Sequence, residues 1–284
     1  MFPQEKAWLQ AVERKKKIEG SPVLSWINRR IRIPLSVSAQ RDRFFLKHIP
    51  RNRPKQEILD VGCGSGRQYL AQLGVVTGID LSGPLLEEAK GIYNEVVLHD
   101  ILDMSRVFGG KQFDVVTSSD VIGHIPFERK KDLYDEIAKV TKPGGLSVHF
   151  IECKHDTFWT NIVQRRWPEL FQKHFIDRVG HIGLESVDTI VSNLKSRGFE
   201  IRSIERPPGF FEEVGVLTAQ FDLDDYRRVM PAWMKAAVGL DVVCSKNIWV
   251  REFFNVLLRP ITAIESIVTP VEKTTAIMIA ANKV

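Results

Sequence analysis

Three glycines in five residues, Gly62, Gly64 and Gly66, follow the apolar run Ile58-Leu59-Asp60-Val61. Glycines this close behind a buried strand let the backbone turn tightly and approach a ligand, because no Cβ intervenes. The spacing is G-x-G-x-G and not the G-x-G-x-x-G of dinucleotide folds. No Gly-Lys-Ser/Thr follows, so the loop is not a P-loop. Taken alone, it is either a ligand cradle or a structural turn. Three acids narrow the choice. Asp60 stands two residues before the first glycine, Asp80 closes Val76-Thr77-Gly78-Ile79-Asp80, and Asp100 follows Val97-Leu98-His99. A carboxylate at Asp80 can accept both hydroxyls of a ribose. An acceptor at Asp100 suits the exocyclic amine of an adenine. Each acid alone could equally be a solvated loop residue or a helix cap. All three, at the ends of successive strands beside one glycine loop, describe a nucleoside-shaped site.

A second set of residues could move protons. His124 follows the fourth strand and is either a base or a structural histidine. Glu152 directly follows the fifth strand and is either a base or a loop cap. His181 sits between Gly180 and Gly183, before a helix, where it suits a cleft or loop packing. His155 lies in a variable stretch. These side chains are the types that serve general acid–base catalysis. The acidic run Asp222-Leu223-Asp224-Asp225 reads as a solvated loop, and no metal site is assigned.

The elements that must position these residues alternate. Strands are expected at Glu57–Val61, Val75–Ile79, Glu95–Leu98, Phe113–Thr117, Leu146–Ile151, Phe199–Ile204 and Thr275–Ala280. Helical patterns fall at Leu85–Ala89, around Leu133, Ile137 and Val140, and around Val187, Ile190 and Leu194. Lys142-Pro143-Gly144-Gly145 is expected to stop the second of these. The alternation implies an α/β fold with a mostly parallel sheet covered on both faces. Residues 152–183 and about 65 residues from Pro207 break the rhythm. Both are expected at the loop edge, where open α/β sheets bind ligands.

With these motifs in place, the chain resembles the class I S-adenosylmethionine-dependent methyltransferases of small-molecule type, over residues 56–206 plus the final strand. The resemblance implies a Rossmann-like, doubly wound, seven-stranded sheet with an antiparallel last strand. It implies S-adenosyl-L-methionine as cofactor, held by Asp60, Gly62, Cys63, Gly64, Gly66, Asp80, Leu81, Asp100, Ile101 and Ser118. Asp60 and the glycines serve the methionine part, Asp80 the ribose, and Leu81, Asp100 and Ile101 the adenine. Phe113-Asp114-Val115-Val116, Ser118 to Ile125 and Lys142-Pro143-Gly144-Gly145 match further family segments. His124, Glu152 and His181 are the catalytic candidates, and the chemistry requires no metal. An activated methyl needs mainly alignment with its acceptor. An alcohol or phenol must also lose a proton. The expected reaction is O-methylation of a hydrophobic, lipid-linked or glycan-derived small molecule. The alternatives are C- or N-methylation, a nicotinamide-dependent oxidoreductase, which the loop spacing and Asp100 oppose, and a binding module without turnover. The chain departs from the family in its basic N-terminal helices and in the helical insertion between strands six and seven.

Composition sets the frame. The 284 residues are 44% hydrophobic and 26% charged, which excludes wholesale disorder. Residues 1–55 hold 14 basic and 4 acidic residues, the remainder 26 and 31, so a net charge of +5 conceals a basic segment on an acidic body. The expected organisation is therefore a basic helical extension (1–55) forming part of the substrate cover, a methyltransferase core (56–206 and 273–284) and a lid-like insertion (207–272). The run Arg14-Lys15-Lys16-Lys17 is either a solvated face or a contact to an anionic membrane or phosphate-bearing substrate. A nucleic-acid partner is disfavoured, since no recognised module is visible and the body is acidic. The insertion, with Trp233, Trp249, Phe253 and Phe254, is either a plain helical core or a lid over an apolar acceptor. Three scattered cysteines, no apolar leader and no apolar run of roughly 20 residues point to a cytoplasmic protein, peripheral to the membrane at most.

Overall fold

The computed structural model describes residues 37–51, 55–154, 156–177, 180–207 and 270–284, together with Ala232, Ile264 and Val268. Most of the basic extension, His155, the acidic run at 222–225 and nearly all of the 207–272 insertion lie outside the described residues.

A helix, α1 (Val37–His48), precedes an alternation of strands and helices: β1 (Glu57–Val61), α2 (Gln68–Ala71), β2 (Val75–Asp80), α3 (Gly83–Ala89), β3 (Glu95–Leu98), α4 (Met104–Val107), β4 (Phe113–Ser119), α5 (Lys130–Val140), β5 (Thr141–Glu152), α6 (Phe158–Arg166), α7 (Pro168–Phe171), α8 (Val187–Lys195), β6 (Phe199–Glu205) and β7 (Ala276–Lys283). One turn of π-helix, Gln172–Asp177, follows α7. The strands form one sheet in the order β3-β2-β1-β4-β5-β7-β6. The first five run parallel, and β7 is antiparallel to both β5 and β6. This is the seven-stranded, doubly wound fold that the sequence implies.

The central strands are apolar on both faces because helices cover both. Alternation divides their residues between two cores. Leu59, Val61, Ile277 and Ile279 pack with Leu133, Ile137, Ile190 and Leu194 of α5 and α8. Ile58, Met278 and Ala280 pack with Leu70, Leu86 and Ala89 of α2 and α3.

Two boundaries differ from expectation. Phe44 and Phe45 of α1 and the adjoining Ile49 are buried in the second core, so the packed body starts before residue 56. At about 1.5–3 kcal/mol per buried large apolar side chain, α1 belongs to the core. Lys142-Pro143-Gly144-Gly145 follows the helix stop, as expected, but is drawn into β5, which starts at Thr141. An irregularity between Phe113 and Val115 accommodates it.

Strand order reverses between β1 and β4. The carboxyl ends of these strands open the crevice in which doubly wound sheets hold ligands.

Candidate active site

The glycine loop leaves β1 at this reversal point. Gly62 has φ +63°, donates its N–H to the Ile79 carbonyl at 2.8 Å, and leaves no room for a side chain. A Cβ there would sit 2.3 Å from Val121 Cγ2. Gly64 and Gly66 share the left-handed conformation. The cradle is thus built on backbone that only glycine adopts at low cost.

Asp60 lies beneath the loop and is fully buried. Its oxygens accept hydrogen bonds from Thr117 Oγ1 at 2.9 Å, Tyr93 Oη at 2.7 Å and Arg67 Nη1 at 2.7 Å. Tyr93 Oη in turn accepts from the Arg67 N–H at 2.8 Å. The acid therefore fixes the loop's far end and positions an arginine at the crevice.

Asp80 ends β2 with Oδ2 accepting from the Gly64 N–H and Oδ1 from the Ser82 N–H, each at 2.8 Å. A carboxylate has about four lone-pair sites, so a diol can still be accepted. Next to it Leu81 stands 68% exposed, an apolar face left open at a strand end. Asp100 caps the turn Ile101–Asp103, accepting from the Leu102 N–H at 2.9 Å, and Ile101 is buried behind it. Cradle, diol acceptor and apolar plate fit an adenosyl group.

Two expected cofactor residues turn elsewhere. Cys63 is buried against Gly78 and Tyr93, and burial raises its thiol pKa, so its side chain packs the loop from below. Ser118 is fully buried with Oγ 2.7 Å from His149 Nδ1, inside the sheet. Strand alternation sends its side chain away from the crevice, and this corrects the expectation for its hydroxyl.

The three catalytic candidates converge. Donor-type atoms of His124, Glu152 and His181 all lie within 4.8 Å of one another. The rings of His124 and His181 are 5.0 Å apart, and His181 Nε2 is 4.0 Å from Glu152 Oε1. Backbone contacts bring the 180s loop there. The Gly183 N–H donates to the Gly123 carbonyl at 3.0 Å, and a Cβ at Gly183 would fall 1.8 Å from the Ile125 carbonyl oxygen. Glu185 locks the same loop, accepting from Tyr134 Oη and Asn193 Nδ2 at 2.9 Å each. Its partner cation is Lys130, whose ammonium also donates to the Ile122 carbonyl.

Electrostatics separates the roles of the three. Burial, followed by the neighbouring charge of Asp120, pushes the Glu152 carboxyl well above the usual range. Burial lowers His124 below the ordinary histidine value, against the opposing Gly180 bond. Burial and then His124 push His181 down to about 4. Both rings are neutral at pH 7. His124 Nδ1 faces the Gly180 carbonyl at 3.0 Å, which fixes the proton on Nδ1 and leaves a basic lone pair on Nε2.

Sequence reasoning passed over Asp120, Arg41 and Arg67. Asp120 follows β4 with φ +59°, the one left-handed non-glycine among the described residues. Its Oδ2 accepts from Arg41 Nη1 and from Ser119 Oγ, both at 2.8 Å. Against the desolvation that opposes it, Arg41 draws this carboxyl below the usual range. A signal was present: acids fall at 60, 80, 100 and 120, at or just past the carboxyl ends of four successive strands. Nothing local marks Arg41, whose partner is 79 residues away.

Residues 58–145 match the family model described as a methyltransferase domain. Those residues form a methyltransferase domain. Its cofactor is S-adenosyl-L-methionine. Among curated relatives, the chain is 34% identical over 168 residues to phosphoethanolamine N-methyltransferase 2 of Caenorhabditis elegans, covering 54% of this chain and 38% of that one. It is 32% identical over 163 residues to 24-methylenesterol C-methyltransferase 2 of Oryza sativa subsp. japonica, covering 52% and 42%. The chain thus aligns with about two-fifths of the length of these relatives. A solved Haemonchus contortus phosphoethanolamine N-methyltransferase 2 in complex with S-adenosyl-L-methionine shares the fold, with a TM-score of 0.52, 20% identity, and 86% of this chain and 52% of that one covered. Among the described residues, no helix is long and apolar enough to cross a membrane.

Proposed function

We propose that this protein transfers a methyl group from S-adenosylmethionine to a small-molecule acceptor, on oxygen. The observation that carries the reading is the convergence of His124, Glu152 and His181 at the carboxyl ends of β4 and β5, beside the glycine cradle. When bound, the cofactor supplies a methyl already activated on a sulfonium. Gly62, Gly64 and Gly66 cradle it, Asp80 accepts the ribose hydroxyls, Leu81 and Ile101 flank the adenine, and Asp100 accepts its amine. Asp60 acts through Arg67 and Tyr93. His124 Nε2 takes the acceptor's proton, with Nδ1 held on Gly180. Glu152 lies against Asp120, which Arg41 holds in its ionised form. His181 closes the far wall and shields the proton transfer from water.

A small acceptor is supported by the relatives, whose names refer to phosphoethanolamine and a methylenesterol. Those names also favour a second reading, N- or C-methylation, in which the same base takes a proton from an ammonium or a carbon. The basic extension and the 207–272 insertion remain candidates for substrate cover, with peripheral contact to an anionic membrane or a phosphate-bearing acceptor.

Calorimetry tests the cofactor half of the proposal against the oxidoreductase alternative. S-adenosylhomocysteine should bind with saturable heat and NADH should give none. Binding of NADH alone overturns the proposal.

A further inference from the structure

We infer that His124, Glu152 and His181 form a three-ligand site for a divalent transition metal ion of the zinc class. Their donor atoms already share one small volume, none more than 4.8 Å from another. Donors bound tetrahedrally at roughly 2.1 Å lie about 3.4 Å apart. The 4.0 Å between His181 Nε2 and Glu152 Oε1 is therefore a small torsional adjustment from coordination.

The surroundings suit a metal. His124 is oriented through its Nδ1 by the Gly180 carbonyl, which is how metal-ligating histidines are fixed by a backbone oxygen on the second nitrogen. Glu152 is buried to 8% exposure, and its Oε2 has no hydrogen-bond partner. Gly123 leaves room at that oxygen, since a Cβ would come within 3.0 Å. The carboxylate of Asp120 lies against Glu152 and adds negative potential. The nearby cations are already engaged, Arg41 with Asp120 and Lys130 with Glu185 and the Ile122 carbonyl.

Two histidines and a carboxylate, without thiolate, suit Zn²⁺, Co²⁺ or Fe²⁺ better than Mg²⁺ or Ca²⁺. Three protein ligands leave a position open, the composition of a catalytic site and not of a structural one. With the ion bound, His124 Nε2 would be a ligand and no longer the base, and an acceptor oxygen in the open position would instead lose its proton to solvent or buffer through the ion's charge. That consequence rests on the acceptor site proposed above; the binding of metal does not.

The test uses full-length, tag-free protein stripped with a chelator and titrated with Co²⁺ and Zn²⁺. One ion should bind per chain at micromolar concentration, and bound Co²⁺ should show intense visible bands of low coordination number. His181→Ala and Glu152→Gln should each weaken Co²⁺ binding at least about tenfold. Their S-adenosylhomocysteine affinity should stay within about twofold of wild type, which also confirms that they fold. Failure of wild type to take up Co²⁺ or Zn²⁺ overturns the site, as does undiminished binding in His181→Ala, Glu152→Gln and His124→Ala. If S-adenosylhomocysteine binding persists while metal uptake fails, the methyltransferase reading stands and only the metal falls.

Discussion

Arg67 Nη1 donates to Asp60 Oδ2 at 2.7 Å beneath the glycine loop, and the carboxylate is entirely buried. Removing one partner of such a pair leaves an uncompensated charge, at a cost of about 3–5 kcal/mol. Asp60→Asn should therefore lower stability by that order in urea unfolding. Adding Arg67→Met should recover part of the loss, because the stranded guanidinium is gone. Additive losses would mean that the two side chains act independently.

The Asp80 carboxylate meets the N–H groups of Gly64 and Ser82 and faces the crevice. Asp80→Ala should weaken S-adenosylhomocysteine binding by about 1–3 kcal/mol, since buried hydroxyls lose their acceptor. Calorimetry reads this directly. Unchanged affinity would place the ribose elsewhere.

His149 tests the interior of the sheet. Its Nδ1 is 2.7 Å from Ser118 Oγ and its Nε2 2.5 Å from Ser147 Oγ, and burial lowers its pKa from 6.5 to about 3. Between those values the unfolded chain binds a proton that the folded chain refuses. The contribution to stability is complete above the unfolded value and is lost as pH falls through the window toward the folded one. At about 1.4 kcal/mol per unit, wild type should lose roughly 2 kcal/mol more than His149→Gln between pH 7 and pH 5. Parallel pH profiles of urea stability would contradict this.

His124→Asn keeps a donor for the Gly180 carbonyl and removes the basic Nε2. Methyl transfer should fall about 10²–10⁴-fold in kcat, with cofactor-product affinity retained. Burial lowers the His124 pKa, so the acid limb of the wild-type rate profile should lie below the free histidine value of about 6.5. An acid limb above that value, or an undiminished kcat, would remove His124 from the reaction.

Much of this architecture was legible because parallel strands, buried on both faces, read as short unbroken apolar runs. Glu57–Val61 and Glu95–Leu98 stand where the sequence places them, and β7 extends past its expected run to Lys283. The acids at 60, 80 and 100 were visible because each punctuates such a run. Asp120 obeys the same rule, yet its segment continues in apolar residues that mask the break. Nothing in Arg41-Asp42-Arg43 marks a distant partner, and only helix packing brings Arg41 to the end of β4. Ser118 and His149 alternate correctly along buried strands, but nothing local shows that they meet inside the sheet. The convergence of His124 and His181 depends on the Gly183 contact to Gly123, across 60 residues of chain.

The most direct measurement is transfer of labelled methyl from S-adenosylmethionine into cell extract separated into lipid, polar small-molecule and macromolecular fractions. Label should enter a lipid or polar small molecule with wild-type protein and fall sharply with Asp80→Ala. No transfer into any fraction, or label confined to macromolecules, would contradict a small-molecule methyltransferase.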